Sequence, residues 1–321
     1  METVVRAEKN AGLFSRDDAR RLLPDLHDRE RLLRLMADPA SKALPIFHEK
    51  NLVTGHDVPR GVAVPLADVM ALSRRARGLT LLGSLDGDPL FAADVSDSEE
   101  APEALSSEGR FEELRGILSL VDENDAGLLG YAKAIAYWHR RRLFCGACAS
   151  PTENACAGHM RRCRNPECGA EVFPRTDPAV IVLAIRNGQC LLGRQASWPK
   201  GMYSAIAGFV EPGENLEEAA SRELVEETGV RAEHPRYFAS QPWPFPASLM
   251  VAFLIEAKDD VILPGDGELE HARWFSREDI GLALADGSLR MPTSRSISFR
   301  LLEHWFDRKS AIPLKQLAGL P

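Results

Sequence analysis

Three glutamates set the chemistry this chain could do. Glu223, Glu226 and Glu227 stand at i, i+3 and i+4, and on a helix those positions share one side. At about 100° per residue, Leu216, Ala220, Glu223 and Glu227 form one narrow stripe. Ala219 and Glu226 flank it on one side and Leu224 on the other, while Glu217, Glu218, Ser221 and Arg222 lie away from it. That stripe is the side expected to face a core, where ionised carboxylates are costly unless paired or holding a metal. Carboxylates aimed at one place suit a hard divalent cation such as Mg2+ or Mn2+. The preceding loop, Gly208 to Glu214, carries two glycines and lets backbone come close to an ion or a phosphate. The plain alternative, a solvated glutamate-rich helix, would place its charges opposite the apolar face.

A second cluster is made of thiols. Five of the six cysteines fall between Cys145 and Cys168, four of them as two short pairs: Cys145-x2-Cys148, 14 residues, then Cys163-x4-Cys168. Two short pairs separated in this way match a structural Zn2+ site, each pair wrapping one side of a tetrahedral ion. Cys156 and His159 lie between the pairs and are alternative ligands. A disulfide framework does not suit a reducing compartment. Cys190, in a strand-like run, reads as a small buried thiol.

A third segment is aromatic and stiff. In Gln241-Pro-Trp-Pro-Phe-Pro-Ala-Ser248, Pro242, Pro244 and Pro246 are expected to hold the backbone extended. Trp243 and Phe245, two apart, would then project the same way and offer planar faces to a heterocycle. Gln241 and Ser248 could hydrogen-bond it. Two core aromatics in a proline-rich turn are the competing reading.

These groups need elements to position them. Strand-like runs occur at Ala179–Ile185, Cys190–Leu192, Tyr203–Ala207, Met250–Glu256 and Ala272–Phe275. A helix is predicted from about Leu216 to Thr228, with Asn215 as N-cap, Glu218 at the third position and Gly229 beyond its end. A last helix is expected over roughly Ser294–Asp307. Strands mixed with helices in this way define an α/β or α+β domain. Pro174 to Pro178 reads as an extended linker. Upstream, Leu22-Leu23, Leu32 to Leu35 and Val62 to Val64 suggest mixed helix and strand. Apolar residues at helical spacing predict one or two helices from Phe111 to Tyr137. Asp86 to Gly109, with eight acids and no Lys or Arg, reads in part as exposed loop.

Composition sets the outer limits. The 321 residues suggest two domains, and 45% apolar with 27% charged residues is ordinary for a globular protein. A net charge of −8 argues against a duplex-DNA binder. It hides a local basic cluster, Arg140, Arg141, Arg142, Arg161, Arg162 and Arg164 against Glu153 alone, which reads as an RNA surface or as ordinary surface charge. No apolar run approaches a membrane span. Neither a signal-peptide core at the start nor a retrieval signal in Gly319-Leu320-Pro321 is present, so a cytoplasmic location is expected.

Residues 208 to 230 resemble the Nudix box, G-x5-E-x7-R-E-U-x-E-E-x-G-U with U apolar. Gly208, Glu214, Arg222, Glu223, Glu226, Glu227 and Gly229 fill its fixed positions, and Leu224 and Val230 its apolar ones. The segment Gln241 to Ser248 resembles Q-P-W-P-F-P-x-S, the signature of the NADH pyrophosphatase branch, which also carries a zinc ribbon just before its catalytic domain. The likeness covers 143 to about 305 well. Residues 1–142 match only in position and size, as a Nudix-like domain without a box.

The resemblance implies a zinc ribbon at 143–172 and a catalytic Nudix α/β/α sandwich with a mixed sheet at 173–321. It implies metal-dependent hydrolysis of NADH or NAD+ to NMN(H) and AMP. Removal of NAD caps from RNA, or hydrolysis of ADP-ribose or a diadenosine polyphosphate, is the alternative. Glu223 and Glu227 would be the principal Mg2+ or Mn2+ ligands, with Glu226 assisting catalysis. The Ala207 carbonyl and Glu268 would add to the metal set, with Glu270 close enough to compete. The base, a glutamate or metal-bound hydroxide, stays open. Zn2+ would sit on Cys145, Cys148, Cys163 and Cys168. Substrate would meet Phe173, Gln241, Pro242, Trp243, Pro244, Phe245, Pro246, Ala247 and Ser248. Gly158 stands where some members have a substrate-binding glutamate, and Ser298 where an alanine contacts substrate. Members form homodimers. A non-enzymatic nucleotide sensor is the remaining rival, but degeneration should strike the box first, and this box is intact.

Overall fold

The computed structural model describes residues 28–72, 78–263 and 267–320; Leu22-Leu23 lies outside them. Two compact units are present: among the described residues, 28–176 with 243–247, and 177–242 with 248–320.

In the second unit the strand Asp177–Arg186 is the organising element. It runs parallel to Ser248–Ala257 and antiparallel to Gln189–Arg194 and Ile206–Phe209. The path of the mixed sheet is Ala232–Trp243, Ser248–Ala257, Asp177–Arg186, Gln189–Arg194, His271–Phe275. The central strand is apolar at nearly every position because both its faces are covered. Val180, Val182 and Ala184 pack on one face with Ala219, Ala220 and Leu224 of the helix Leu216–Thr228. Ile181 and Leu183 pack on the other with Phe299, Leu302 and Phe306 of the helix Ile297–Asp307. The expected α/β/α sandwich is therefore present.

The first unit carries a second mixed sheet, ordered Arg60–Gly61, Lys50–Thr54, Lys42–Phe47, Asp88–Asp94, Thr80–Leu85. The long helix Glu123–Arg140 packs on it through Ala126, Leu129, Ala132, Ile135 and Ala136. A three-stranded ribbon follows, Thr152–Ala155, Met160–Cys163 and Glu171–Val172. Here the sequence reading needs correcting. Within Asp86–Gly109, Asp97, Glu99, Glu100 and Ser106 to Glu108 are exposed in turns, the loop part expected, while Asp88–Asp94 is a buried inner strand whose acids sit at its two ends. Arg110–Glu112, at the start of the expected helical stretch, is also a strand, on the Lys50–Thr54 edge. In the second unit the strand expected at Tyr203–Ala207 begins later, at Ile206. Met202 and Ser204 make isolated bridges to Arg290 and Gly193 instead.

Candidate active site and zinc site

The box helix is fixed by its own ends. Asn215 accepts from the Glu218 backbone N–H at 2.8 Å, and the Glu218 carboxylate accepts from the Asn215 N–H at 2.9 Å. This reciprocal cap satisfies donors the first turn would leave open. Gly229 closes the other end at φ 72°, the left-handed position that favours glycine. The helix spans the predicted residues.

Its carboxylates are distributed unequally. Glu223 is 9% and Glu227 4% exposed, whereas the Glu226 side chain is 51% exposed. Arg222, expected to point away, instead curls into the site. Its Nε and Nη2 donate to both Glu214 oxygens at 2.6 and 2.8 Å. Its Nη1 donates to Glu223 at 2.9 Å and Glu226 at 2.8 Å, and Nη2 also reaches the Phe209 carbonyl at 2.9 Å. A long stem lets a guanidinium leave the direction its Cα gives it, and its planar fork serves several carboxylates together. The second oxygen of Glu214 also accepts from the Glu211 N–H at 3.0 Å. Arg222 hydrogen-bonding holds Glu214 down to about 2. Glu223 moves the other way: burial pushes its carboxyl up against the pull of Arg222, and the charges of Glu226 and Glu268 add to the rise.

Gly208 explains the box glycine. A Cβ built there would lie 1.9 Å from the Glu223 carboxyl carbon, so the carboxylate occupies the space of the missing side chain. This seats Glu223 beside the strand that carries Ala207. A buried carboxylate against bare backbone, with the charges of Glu226 and Glu268 acting on it, has the chemistry a hard divalent cation needs, although among the described residues only the four cysteines gather their ligand atoms into one group. Glu268 is exposed and accepts from Gln195 Nε2 at 3.1 Å. Phe209, absent from the sequence-derived site, exposes 59% of its surface while Arg222 holds its carbonyl. An aromatic at the second box position was the available signal.

The aromatic segment differs from expectation. The strand Ala232–Trp243 ends at the first aromatic, and Pro244–Ala247 forms a turn, not an extended rod. The Phe245 N–H donates to the Trp243 carbonyl at 2.8 Å, and the Phe245–Pro246 bond is cis. The two rings meet edge-on at 5.1 Å and pack against the first unit's core. Pro242 and Pro246 are exposed, Pro244 is buried, and Ala247 and Ser248 are half-buried. Gln241 is buried with both amide atoms engaged: Nε2 donates to the Arg295 carbonyl at 2.9 Å and Oε1 accepts from the Ile297 N–H at 2.8 Å. Ser298 is buried too, sharing a 2.8 Å hydrogen bond with Ser204 and accepting from the Ala205 N–H at 3.1 Å. Phe173 is exposed.

In the first unit the Sγ atoms of Cys145, Cys148, Cys163 and Cys168 lie within 4.8 Å of one another. Cys145 and Cys168 are 3.8 Å apart, Cys148 and Cys163 3.4 Å. Zn–S bonds of about 2.3 Å in a tetrahedron need sulfur–sulfur edges of about 3.8 Å, so the set fits zinc. The Ala147 and Asn165 N–H groups point at Cys145 and Cys163, each at 3.4 Å. Hydrogen bonds from Ser150 lower the Cys148 thiol to about 6, whereas burial pushes Cys163 up and Cys168 is raised as well, so without a metal these thiols share their protons unequally. His159 is not a ligand: Nε2 lies 2.8 Å from the Leu81 carbonyl and Nδ1 3.3 Å from the Tyr131 hydroxyl. Cys156 lies outside the group as well.

Gly158, at φ 93°, has Leu79 O and Thr80 Oγ1 each 2.5 Å from where a Cβ would stand, so no glutamate fits in this conformation. Nearby, Arg161 donates to His139 Nδ1 at 3.1 Å, leaving Nε2 to donate to the Gly158 carbonyl at 2.8 Å. Arg161 is therefore buried and is not part of a basic surface. Arg162 pairs with Glu171, Arg164 with Glu153 and Arg140 with Asp94, which thins the basic cluster further.

A buried box helix on a mixed α/β/α sandwich is the arrangement of a Nudix domain, and the NUDIX domain model matches residues 175–294. The NADH pyrophosphatase-like rudimentary NUDIX domain matches 4–138, and the NADH pyrophosphatase zinc ribbon domain 133–173. The NAD-capped RNA hydrolase NudC of Stutzerimonas stutzeri is 37% identical over 74% of this chain and 81% of its own. That of Mycobacterium bovis is 41% identical over 79% and 82%. The human NAD-capped RNA hydrolase NUDT12 is 40% identical over 57% of this chain, a stretch spanning 42% of that protein. The chain belongs to the Nudix hydrolases, in the NADH pyrophosphatase branch that carries a zinc ribbon. No helix among the described residues is long and apolar enough to cross a membrane.

Proposed function

We propose that this enzyme hydrolyses the pyrophosphate of NADH or NAD+ to NMN(H) and AMP. The carrying observation is the Glu223 carboxylate seated against Gly208, with Arg222, Glu226 and Glu268 around it. Glu223, Glu227, Glu268 and the Ala207 carbonyl would hold Mg2+ or Mn2+. Bound there, the cations would offset phosphate charge and lower the pKa of a water. Arg222 fixes the orientation of Glu214, Glu223 and Glu226, so no reorganisation is needed when substrate arrives. Glu226, half exposed and held by Arg222 Nη1 at 2.8 Å, would assist the attack of water, with a box glutamate or a metal-bound hydroxide as the base. Water oxygen joins one phosphorus, the bridging P–O bond breaks, and two monophosphates leave.

Phe173, Phe209 and the residues Pro242 to Ser248 are each proposed individually as substrate contacts. Gln241 and Ser298, both spent on internal hydrogen bonds, act by fixing the segments 295–298 and 204–205. Zn2+ belongs to the four-cysteine ribbon, with domains at 1–142, 143–172 and 173–321. A cytoplasmic homodimer is part of the same reading. The names of the relatives favour a second substrate of the same chemistry, the NAD cap of an RNA, which presents the same dinucleotide pyrophosphate. Steep salt dependence on capped RNA but not on free NADH would support it. Glu227→Gln tests the shared site: turnover of NADH should fall by orders of magnitude in a folded protein, and unchanged turnover overturns the assignment.

A further inference from the structure

Two glutamates, Glu268 and Glu270, precede the strand His271–Phe275 and compete for one role. Two consecutive residues, Arg194 at the end of the strand Gln189–Arg194 and Gln195 just past it, separate them. Arg194 forms a short ion pair through Nη1 with Glu270, and its Nη2 donates to the Trp198 carbonyl at 3.1 Å. The Arg194 side chain is only 13% exposed, so the Glu270 charge is spent on a largely buried guanidinium. The Glu270 N–H also donates to the Arg194 carbonyl at 2.9 Å, which fixes the register of the pair. Gln195 meets the other glutamate, Nε2 to Glu268 Oε1 at 3.1 Å. An amide orients a carboxylate without neutralising it, whereas an arginine would compete with a cation for its charge.

We propose that Gln195 is a positioning residue that presents Glu268 to the box carboxylates, and that Arg194 holds Glu270 out of that role. The inference rests on the metal-dependent reading above. A residue of this kind behind a metal ligand is typically worth about tenfold in metal affinity. The test uses the full chain with its ribbon zinc retained and titrates Mn2+ alone by calorimetry, with thermal melting as the control for folding. Gln195→Met removes the donor at similar volume; Gln195→Asn is the second variant if the first fails to fold.

Mn2+ affinity should fall about tenfold in Gln195→Met. It should fall no further when Gln195→Met is combined with Glu268→Gln than in Glu268→Gln alone. Glu270→Gln should keep Mn2+ affinity within about twofold while lowering the melting temperature. Unchanged affinity in the Gln195 variants overturns the proposal. So does full additivity with Glu268→Gln, or a larger loss from Glu270→Gln. A wild-type chain that binds Mn2+ but leaves NADH intact would overturn the substrate assignment and not the role of Gln195.

Discussion

Gly208→Ala separates the site from the fold. Gly208 lies in the strand Ile206–Phe209 and has no left-handed backbone, so alanine is conformationally acceptable there. The new methyl group would stand 1.9 Å from the Glu223 carboxyl carbon and 2.0 and 2.1 Å from its oxygens. Ordinary carbon contact needs about 3.5 Å, so the carboxylate must retreat by about 1.5 Å. It can do so because it is the end of a flexible side chain, but it then leaves the 2.9 Å hydrogen bond to Arg222. Losing one charge-assisted hydrogen bond costs about 2 kcal/mol, a drop of about 4–8 °C in melting temperature for a domain of this size. Catalysis should suffer more. A misplacement of about 1 Å costs about 100-fold, or about 2.7 kcal/mol in the barrier. Steady-state NADH hydrolysis, followed by chromatography of the products beside a thermal melt, reads both quantities. Wild-type turnover in a folded Gly208→Ala protein would refute the placement of Glu223 in the reaction.

Three further outcomes are expected. Arg222→Lys should lower kcat about 100-fold in a folded protein, because a point ammonium cannot serve Glu214, Glu223, Glu226 and the Phe209 carbonyl together; turnover within a factor of two would contradict the clamp. The purified chain should carry about one zinc by elemental analysis, and Cys145→Ser should lose both the metal and thermal stability; retained zinc would exclude the four-thiolate site. His139, held neutral at about 3 by burial and then by the Arg161 charge, has a folded pKa below its usual value of 6.5. Its contribution to stability is therefore complete above pH 6.5 and is lost as pH falls toward 3. Between pH 7 and pH 5 that amounts to about 2 kcal/mol, and denaturant melts that show the same loss in wild type and His139→Gln would rule it out.

Local signals made much of this protein legible. The box helix was readable because Asn215, Glu218 and Gly229 mark its ends within a few residues. The central strand was readable because a strand covered on both faces is apolar throughout. What escaped depends on distant parts of the chain. The acidic run Asp86 to Gly109 announced its exposed turns but not the strand Asp88–Asp94 inside it, which pairing with Lys42–Phe47 buries. Arg222 sits on the wrong side of a helical wheel, and only the length of its side chain brings it to Glu214 and Glu223. The prolines beside Trp243 announced stiffness but not the turn they make. Arg161 looked like surface charge because nothing in its neighbourhood announces His139, which packs beside it from another element. Neither could the spacing tell Glu268 from Glu270, since that choice belongs to Arg194 and Gln195 across the sheet.

The central claim, a metal-assisted attack of water on the dinucleotide pyrophosphate, is tested most directly by identifying the products of NADH and NAD+ incubated with the wild-type chain and Mg2+ or Mn2+. NMN(H) and AMP in equal amounts, formed by the wild type and not by Glu227→Gln, are the predicted result. Release of free nicotinamide with ADP-ribose, or equal product formation by the Glu227→Gln chain, would contradict it.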